Sequence, residues 1–173
     1  MTLPTTDKLV QAYNQMMERI RHTLSDTEAK VLPTLKSSLD KARETAVELG
    51  ELTHDEAEKI ALWLKRDTQD AGKHLAENSQ ELSDWLKFDI DQVEDRLLEI
   101  FTSVADKTRL EIQQLQKKLE QDPPHMSGEI TAPGTLYCTQ CNSAVEFNHT
   151  AHIPACPKCG NESFRRCPVE SSL

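Results

Sequence analysis

The sequence predicts a mainly α-helical protein that ends in a small β domain. Three observations support this fold class. Apolar side chains recur at helical spacing over most of residues 1–121, two Cys-x-x-Cys pairs follow residue 135, and a stretch rich in proline and glycine separates the two regions. We therefore predict an acidic helical domain (1–121), a linker (122–134) and a compact cysteine-containing domain (135–173).

Composition favours long solvated helices over a large globular core. Of the 173 residues 37% are hydrophobic and 28% are charged, and the formal net charge is −9. Most of this negative charge precedes residue 128, so we do not expect the helical part to bind nucleic acid. No apolar run approaches the roughly 20 residues of a membrane span, and the first eight residues lack the apolar core of a signal peptide. Reduced Cys-x-x-Cys pairs fit a reducing compartment, so we expect a cytoplasmic protein without membrane contact.

Periodic apolar residues predict three or four long helices. The first carries one apolar stripe, made by Leu9, Tyr13, Met16, Ile20 and Leu24. The second follows Pro33, ends at Gly50 and has a heptad seam made by Leu35, Leu39, Ala42, Ala46 and Leu49. The third begins at a capping box formed by Thr53 and Glu56, and its apolar face holds Ile60, Leu64, Ala71 and Leu75.

A polar stretch interrupts the helical pattern. Residues 65–74 are almost wholly polar and include Gly72, which predicts a break or kink between Gly72 and Ser79. A near-heptad pattern resumes from Leu82 to Leu119, and Pro123 and Pro124 stop it. We expect a long antiparallel helical bundle or coiled coil, within one chain or in a homo-oligomer. The acidic side chains are interpreted as solvated helix faces.

Two Cys-x-x-Cys pairs, separated by 14 residues, have the spacing of a four-thiolate metal site. The predicted metal ligands are Cys138, Cys141, Cys156 and Cys159. Asn142 and Gly160 follow the two pairs, and both residue types adopt the positive φ that a rubredoxin-like knuckle needs. The pattern predicts a zinc ribbon with one zinc ion per chain, and a single iron is the alternative. Four protein ligands leave no position for a catalytic water, so we expect no enzyme activity.

The remainder of the predicted ribbon is short and weakly apolar. We expect small strands near residues 136–137, 145–147 and 164–165, and an apolar cluster made by Tyr137, Phe147, Ile153 and Phe164. So small a unit buries too little surface to fold alone, so the metal must contribute to its folding. Cys167 lies outside the spacing and is interpreted as a free thiol. The histidines His125, His149 and His152 are interpreted as linker or solvated loop residues.

Several stretches resemble a proteobacterial zinc-ribbon family of unknown function, whose members join an N-terminal helical region to a C-terminal ribbon. In the ribbon the similar stretches are Gly128–Cys138, Ile153–Gly160 and Phe164–Arg166. In the helical part they are Gly50–Thr53 and Asp106–Glu111. The resemblance implies that Cys138, Cys141, Cys156 and Cys159 carry zinc. It transfers no activity.

These features favour a non-enzymatic zinc-binding protein that uses its ribbon and acidic helices to bind a protein partner. The first alternative is a regulator of transcription or of other nucleic-acid machinery, acting through a basic spot at Lys158, Arg165 and Arg166 of the ribbon. Its architecture resembles regulators that reach into bacterial RNA polymerase, which is an analogy of fold alone. The second alternative is a rubredoxin-like iron electron carrier.

Overall fold

A computed structural model of the chain describes residues 5–25, 34–78, 99–105, 107 and 124–166. Its helices are α1 (Thr5–Leu24), α2 (Leu35–Glu48) and α3 (His54–Asn78), with a further helical segment at residues 99–105. Its strands are β1 (His125–Met126), β2 (Ile130–Thr131), β3 (Gly134–Cys138), β4 (Ala144–Phe147), β5 (Ala151–His152) and β6 (Ser163–Arg165). The predicted class, helices followed by a small antiparallel sheet, is confirmed at this level.

The predicted apolar stripe of α1 faces the protein interior. Tyr13, Met16, Met17 and Ile20 are buried, because residues three and four apart lie on one helix face. Leu9 and Leu24 lie at the two ends of the stripe and are half-buried against the same core.

The ends of α2 follow from local hydrogen bonding. Thr34 caps the first turn, where its Oγ1 accepts from the backbone N–H of Ser37 and its own backbone N–H donates to the Ser37 Oγ. At the other end Gly50 has a φ of +67° and donates to the Val47 carbonyl, while Glu51 donates to the Ala46 carbonyl. The predicted cap at Gly50 is therefore present. The chain turns away there, which leaves Leu49 63% exposed at the end of an otherwise buried seam.

The predicted capping box opens α3. The Thr53 backbone N–H donates to the Glu56 carboxylate at 2.9 Å, and the Glu56 N–H donates to the Thr53 hydroxyl at 3.2 Å. The helix then continues through Gly72 to Asn78. Ser79, where the predicted interval for a break ends, lies outside the described residues.

The three helices pack against one another around one core, which also takes in Ile100, Phe101, Val104 and Ala105 of the short helical segment. A long coiled coil is not confirmed, because most of the predicted seam from Leu82 to Leu119 lies outside the described residues. Within the described part of the chain no helix is both long and apolar enough to cross a membrane.

The strands form two small antiparallel sheets. One has the order β1–β6–β3–β4, and the other pairs β2 with β5. The ribbon core consists of Leu136, Cys138, Phe147, Ile153, Cys156 and Phe164. The prediction of Tyr137 in this core is wrong: Leu136 is buried there, and Tyr137 lies on the opposite, half-buried face because successive strand residues alternate.

Part of the predicted linker (122–134) belongs to the sheets. Within residues 124–134 lie β1, which pairs with β6, and β2, which pairs with β5. Ile130 and Ala132 are buried in the helical core, so this stretch packs the ribbon onto the helices. The turn residues that suggest a linker instead connect two-residue strands, which are too short to give a periodic signal. Gly128, for example, has a φ of +89° in the turn between β1 and β2.

Substitution of Gly50 tests the end of α2. A Cβ at this position would meet no atom within 4 Å, so only the positive φ opposes a side chain. We expect Gly50→Ala to lower the free energy of unfolding by roughly 1–2 kcal/mol, and Gly50→Asn to lower it less, because asparagine adopts this φ more readily. Urea denaturation measures both. Equal stability of Gly50→Ala and the unchanged chain would contradict the assigned cap.

Candidate metal centre and the adjoining charge network

The four predicted ligands come together at one end of the ribbon. The Cys138 and Cys159 Sγ atoms lie 3.5 Å apart, and the Cys141 and Cys156 Sγ atoms lie 3.6 Å apart. All four sulfurs lie within 4.8 Å of one another. A tetrahedral zinc–sulfur site with bonds of about 2.3 Å has sulfurs about 3.8 Å apart. The cluster therefore has the dimensions of a four-thiolate zinc or iron centre.

The two knuckles repeat the same turn. Cys138 ends β3, and the N–H of Asn142 donates to its carbonyl at 3.0 Å; the N–H of Gly160 donates to the carbonyl of Cys156 at 2.8 Å. Asn142 has a φ of 57° and Gly160 a φ of 75°, as the sequence predicts for both knuckles. These turns point both sulfurs of each pair towards the same place.

The electrostatics of the cluster favour a bound cation. Burial raises the pKa of Cys138, but hydrogen bonds from the backbone N–H groups of Cys141 and Gln140 and from the Asn161 side chain outweigh it and hold that pKa at about 6. At Cys159 the backbone N–H of Asn161 lowers the pKa, but burial and the three neighbouring sulfurs raise it to about 12. Cys138 is therefore ready to bind as a thiolate, whereas Cys159 stays protonated near neutral pH unless a metal ion binds there.

The sulfur set is closed among the described residues. His149 is exposed beside Asn148, and the Nδ1 of His152 lies 3.0 Å from the Gly128 carbonyl oxygen. Neither histidine joins the group of four cysteines. Cys167 lies outside the described residues.

A second group of polar residues lies where the ribbon meets the helices, and Asp67 of α3 is at its centre. The Asp67 side chain is fully buried, and its Oδ2 accepts from the Tyr13 hydroxyl at 2.5 Å and from the Ala132 backbone N–H at 2.9 Å. The Arg66 Nε lies 3.4 Å from its other oxygen. The prediction that acids on the helices are solvated is therefore wrong for Asp67, because partners on α1 and on the ribbon satisfy it.

Two ribbon residues complete this charge network. His125 of β1 is 2% exposed, and its Nε2 lies 2.9 Å from the Asp70 carboxylate. Arg166 follows β6; its Nη2 lies 3.7 Å from Asp67 Oδ1 and its Nε lies 3.9 Å from Asp70 Oδ2. The same Nη2 donates to the Thr131 hydroxyl at 2.8 Å.

Arg66 joins the helices to the first turn of the ribbon as well. Its Nη1 pairs with the Glu129 carboxylate, and its Nη2 lies 3.4 Å from the Ile130 carbonyl oxygen. The same Glu129 oxygen, Oε2, also accepts a hydrogen bond from the Met126 backbone N–H at 3.0 Å, which helps to hold Glu129 in place.

Burial sets the protonation of the neutral members of the charge network. Desolvation, followed by the positive charge of Arg166, lowers the pKa of His125 to about 3 despite the nearby Asp67. Burial and the neighbouring Asp67 carboxylate raise the pKa of Tyr13 well above its usual value. Near neutral pH both side chains are therefore uncharged, and Arg66 and Arg166 carry the positive charge that balances the carboxylates.

Asp67, Asp70 and His125 also have ligand atoms within 4.8 Å of one another. A cation at this place would compete with two guanidinium groups that already lie within 4 Å of these carboxylates. We therefore assign this cluster to charge pairing rather than to metal binding. The polar run in α3, which interrupts the apolar stripe, was a sequence signal for this cluster. The residues that pair with the run are remote in sequence, so the sequence alone did not identify them.

Two knuckles with four clustered sulfurs, joined to a small antiparallel sheet, define the class of zinc-ribbon proteins. A family profile described as "Zinc-ribbon containing domain" matches residues 22–168, and the chain belongs to this family. It is similar to "Uncharacterized protein YbeL" of Escherichia coli strains K12, O6:H1 and O157:H7. Each match is 27% identical over 168 residues and covers 95% of this chain and 99% of the relative. The resemblance indicated by the sequence is thereby confirmed. No solved structure matches the chain.

Removal of one sulfur tests the metal centre. We expect Cys138→Ser and Cys156→Ser to lower the zinc content of the full chain from one ion to well below one, because a hydroxyl is a poor zinc ligand at neutral pH. Elemental analysis measures the content after dialysis. Cys167→Ser is the matched control and keeps its zinc. If the control lost as much metal as the two variants, the assignment of the four sulfurs would fail.

The charge state of His125 is measurable in the zinc-loaded chain. Since its pKa is lowered to about 3, we expect its imidazole to stay neutral between pH 8 and 5.5, where an ordinary histidine becomes protonated. The linked stability is present above the ordinary pKa and is lost as the pH falls towards the folded-state value. Nitrogen-15 NMR of the imidazole follows the titration, and His125→Gln assigns the signal. A titration midpoint of the His125 imidazole near pH 6.5 would contradict this prediction and show that water reaches the imidazole.

Proposed function

We propose that this chain is a non-enzymatic, cytoplasmic zinc-binding protein that uses one structural zinc ion to fold its ribbon and that binds a protein partner. The observation that carries the proposal is the closed set of four sulfurs, all within 4.8 Å of one another. Four thiolates fill the coordination shell of zinc, so the ion has no position for substrate or water. Its contribution is then folding energy, which for structural zinc sites is roughly 10–16 kcal/mol.

The rest of the described chain supports a binding role rather than catalysis. Its other cluster of titratable side chains, around Asp67, is buried and paired internally. The helices meanwhile leave Leu49 63% exposed and Leu62 61% exposed, and a bound protein would cover these apolar side chains.

The basic spot predicted for nucleic acid is smaller than the sequence suggests. Arg166 turns towards the helices, and its side chain is only 8% exposed in the charge network. Two nitrogens of Arg165, Nε and Nη2, are also buried. Lys158 is the exposed member of the three. One exposed lysine beside an acidic helical part gives little attraction for a phosphate backbone, so a protein partner is the better supported candidate.

The metal is identified by analysis of protein purified from native extract. We expect one zinc per chain and a colourless sample, because zinc has no visible ligand-field absorption. A red sample with one iron per chain would replace the proposal with an electron carrier that uses the same four sulfurs.

Capture from extract tests the partner. We expect the full chain and Cys167→Ser to retain the same protein, and the double variant Cys138→Ser/Cys156→Ser to lose it, because binding requires the folded ribbon. Mass spectrometry identifies the captured protein. Retention by the double variant would contradict a role for the ribbon. Capture of RNA polymerase subunits, or of nucleic acid that dissociates with salt, would favour the regulatory alternative.

A further inference from the structure

We propose that metal occupancy in the ribbon is coupled to the packing of the helices through Arg166 and His125, which the ribbon holds against Asp67 and Asp70 of α3. The proposal rests on the proposed zinc site. It adds that two regions without shared metal ligands behave as one thermodynamic unit. Binding or loss of the metal in the ribbon would then change the packing of the helices.

The strand pairing provides a direct path from the sulfurs to the charge network. Cys138 pairs with Phe164 of β6, and Phe164 pairs in turn with His125 of β1. β1 is an edge strand, so within the described sheet it is held by β6 alone. β6 begins four residues after Cys159 and is followed directly by Arg166. Loss of the metal therefore loosens both the strand that carries His125 and the strand that positions Arg166.

The helical side of this contact depends on the ribbon for its charge balance. Asp67 is fully buried and receives the Ala132 N–H and the Arg166 guanidinium from the ribbon. Arg66, which is also buried, has Glu129 of the ribbon as a partner. If the ribbon left, α3 would keep a buried carboxylate and a buried guanidinium with fewer partners. Such groups are strongly unfavourable without them, so α3 would have to rearrange or admit water.

Apolar packing and a further hydrogen bond strengthen the same contact. Ile130 and Ala132 are buried among helical residues. The Thr150 hydroxyl, beside β5, lies 2.7 Å from the Asn14 side-chain oxygen of α1. The docked arrangement is thus specified by several groups at once, and it is the arrangement that a metal-loaded ribbon presents.

Coupling of this kind is reciprocal. If zinc stabilises the docked ribbon by a given factor, docking strengthens zinc binding by that same factor, so a change in α3 that abolishes docking weakens zinc binding by up to that factor. Asp67 is the sharpest position for this test, because it belongs to a helix and contributes no atom to the sulfur cluster.

The first experiment measures zinc affinity of the full chain by competition with a chromophoric chelator. We expect Asp67→Asn and Arg166→Met each to weaken zinc binding by about 5- to 150-fold, the usual range of such coupling. The double variant should lose less than the product of the two factors, since both act through one contact. The matched controls are Glu58→Gln, an exposed acid on the same helix, and Arg165→Met, the neighbouring arginine, whose Nε and Nη2 have no hydrogen-bond partner among the described residues. Both controls should leave the affinity unchanged.

The second experiment measures amide hydrogen exchange of α1 and α3 with and without zinc. Chelation should speed exchange in the part of α3 that contains Asp67, and Arg166→Met should abolish most of this zinc dependence. If Asp67→Asn does not fold, His125→Gln tests the same contact from the ribbon side. Circular dichroism confirms that each variant is helical.

The outcomes separate the two proposals. If the chain binds no zinc, the proposed function fails. If it binds zinc with equal affinity in every variant, and α3 exchanges at the same rate with and without metal, the coupling is refuted and the zinc site stands. A second zinc per chain that Asp70→Asn removes would also refute it, because the charge network would then be a metal site.

Discussion

Four cysteine sulfurs within 4.8 Å of one another are the constraint on which the ribbon depends. Without an ion, each additional thiolate in such a cluster is opposed by those already there, and the raised pKa of Cys159 expresses this opposition. A divalent cation removes the repulsion and replaces it with coordination bonds. The small apolar cluster around Leu136 and Phe164 could not order the strands by burial alone.

The ribbon packs directly against the helices. The stretch that precedes β3 forms two short strands and enters the helical core with Ile130 and Ala132. Around these apolar contacts lie a buried carboxylate, two arginines, a neutral histidine and a tyrosine hydroxyl. Buried charges of this kind contribute little net stability, because desolvation offsets their attraction, but an arrangement that leaves any of them unpaired is strongly disfavoured. The network therefore restricts how the ribbon can dock more than it strengthens the docking.

The contact between the ribbon and the helices bears on the similarity to YbeL. The match to YbeL covers 95% of this chain and 99% of the relative, so the similarity extends through the helices as well as the ribbon. A ribbon that did not pack on the helices would not constrain which residues α3 carries. A ribbon that supplies Arg166 and Ala132 to a buried aspartate requires a helical partner with the matching residues. The helices and the ribbon then form one structural unit.

The sequence by itself determined the local features of this protein. The Gly50 cap of α2, the capping box of α3, the apolar stripe of α1 and the two knuckles all follow from residues within a few positions of each other, which is why their spacing predicts them. The tertiary structure was needed to show that Asp67 is buried, that Tyr137 faces away from the ribbon core and that residues 125–126 and 130–131 form strands. Tyr13, Asp67, Ala132 and Arg166 are far apart along the chain, and a polar side chain on a helix has the same sequence pattern whether water or a remote partner satisfies it. The burial of a charged group depends on partners that the fold brings together, and the local periodicity of the sequence does not identify those partners.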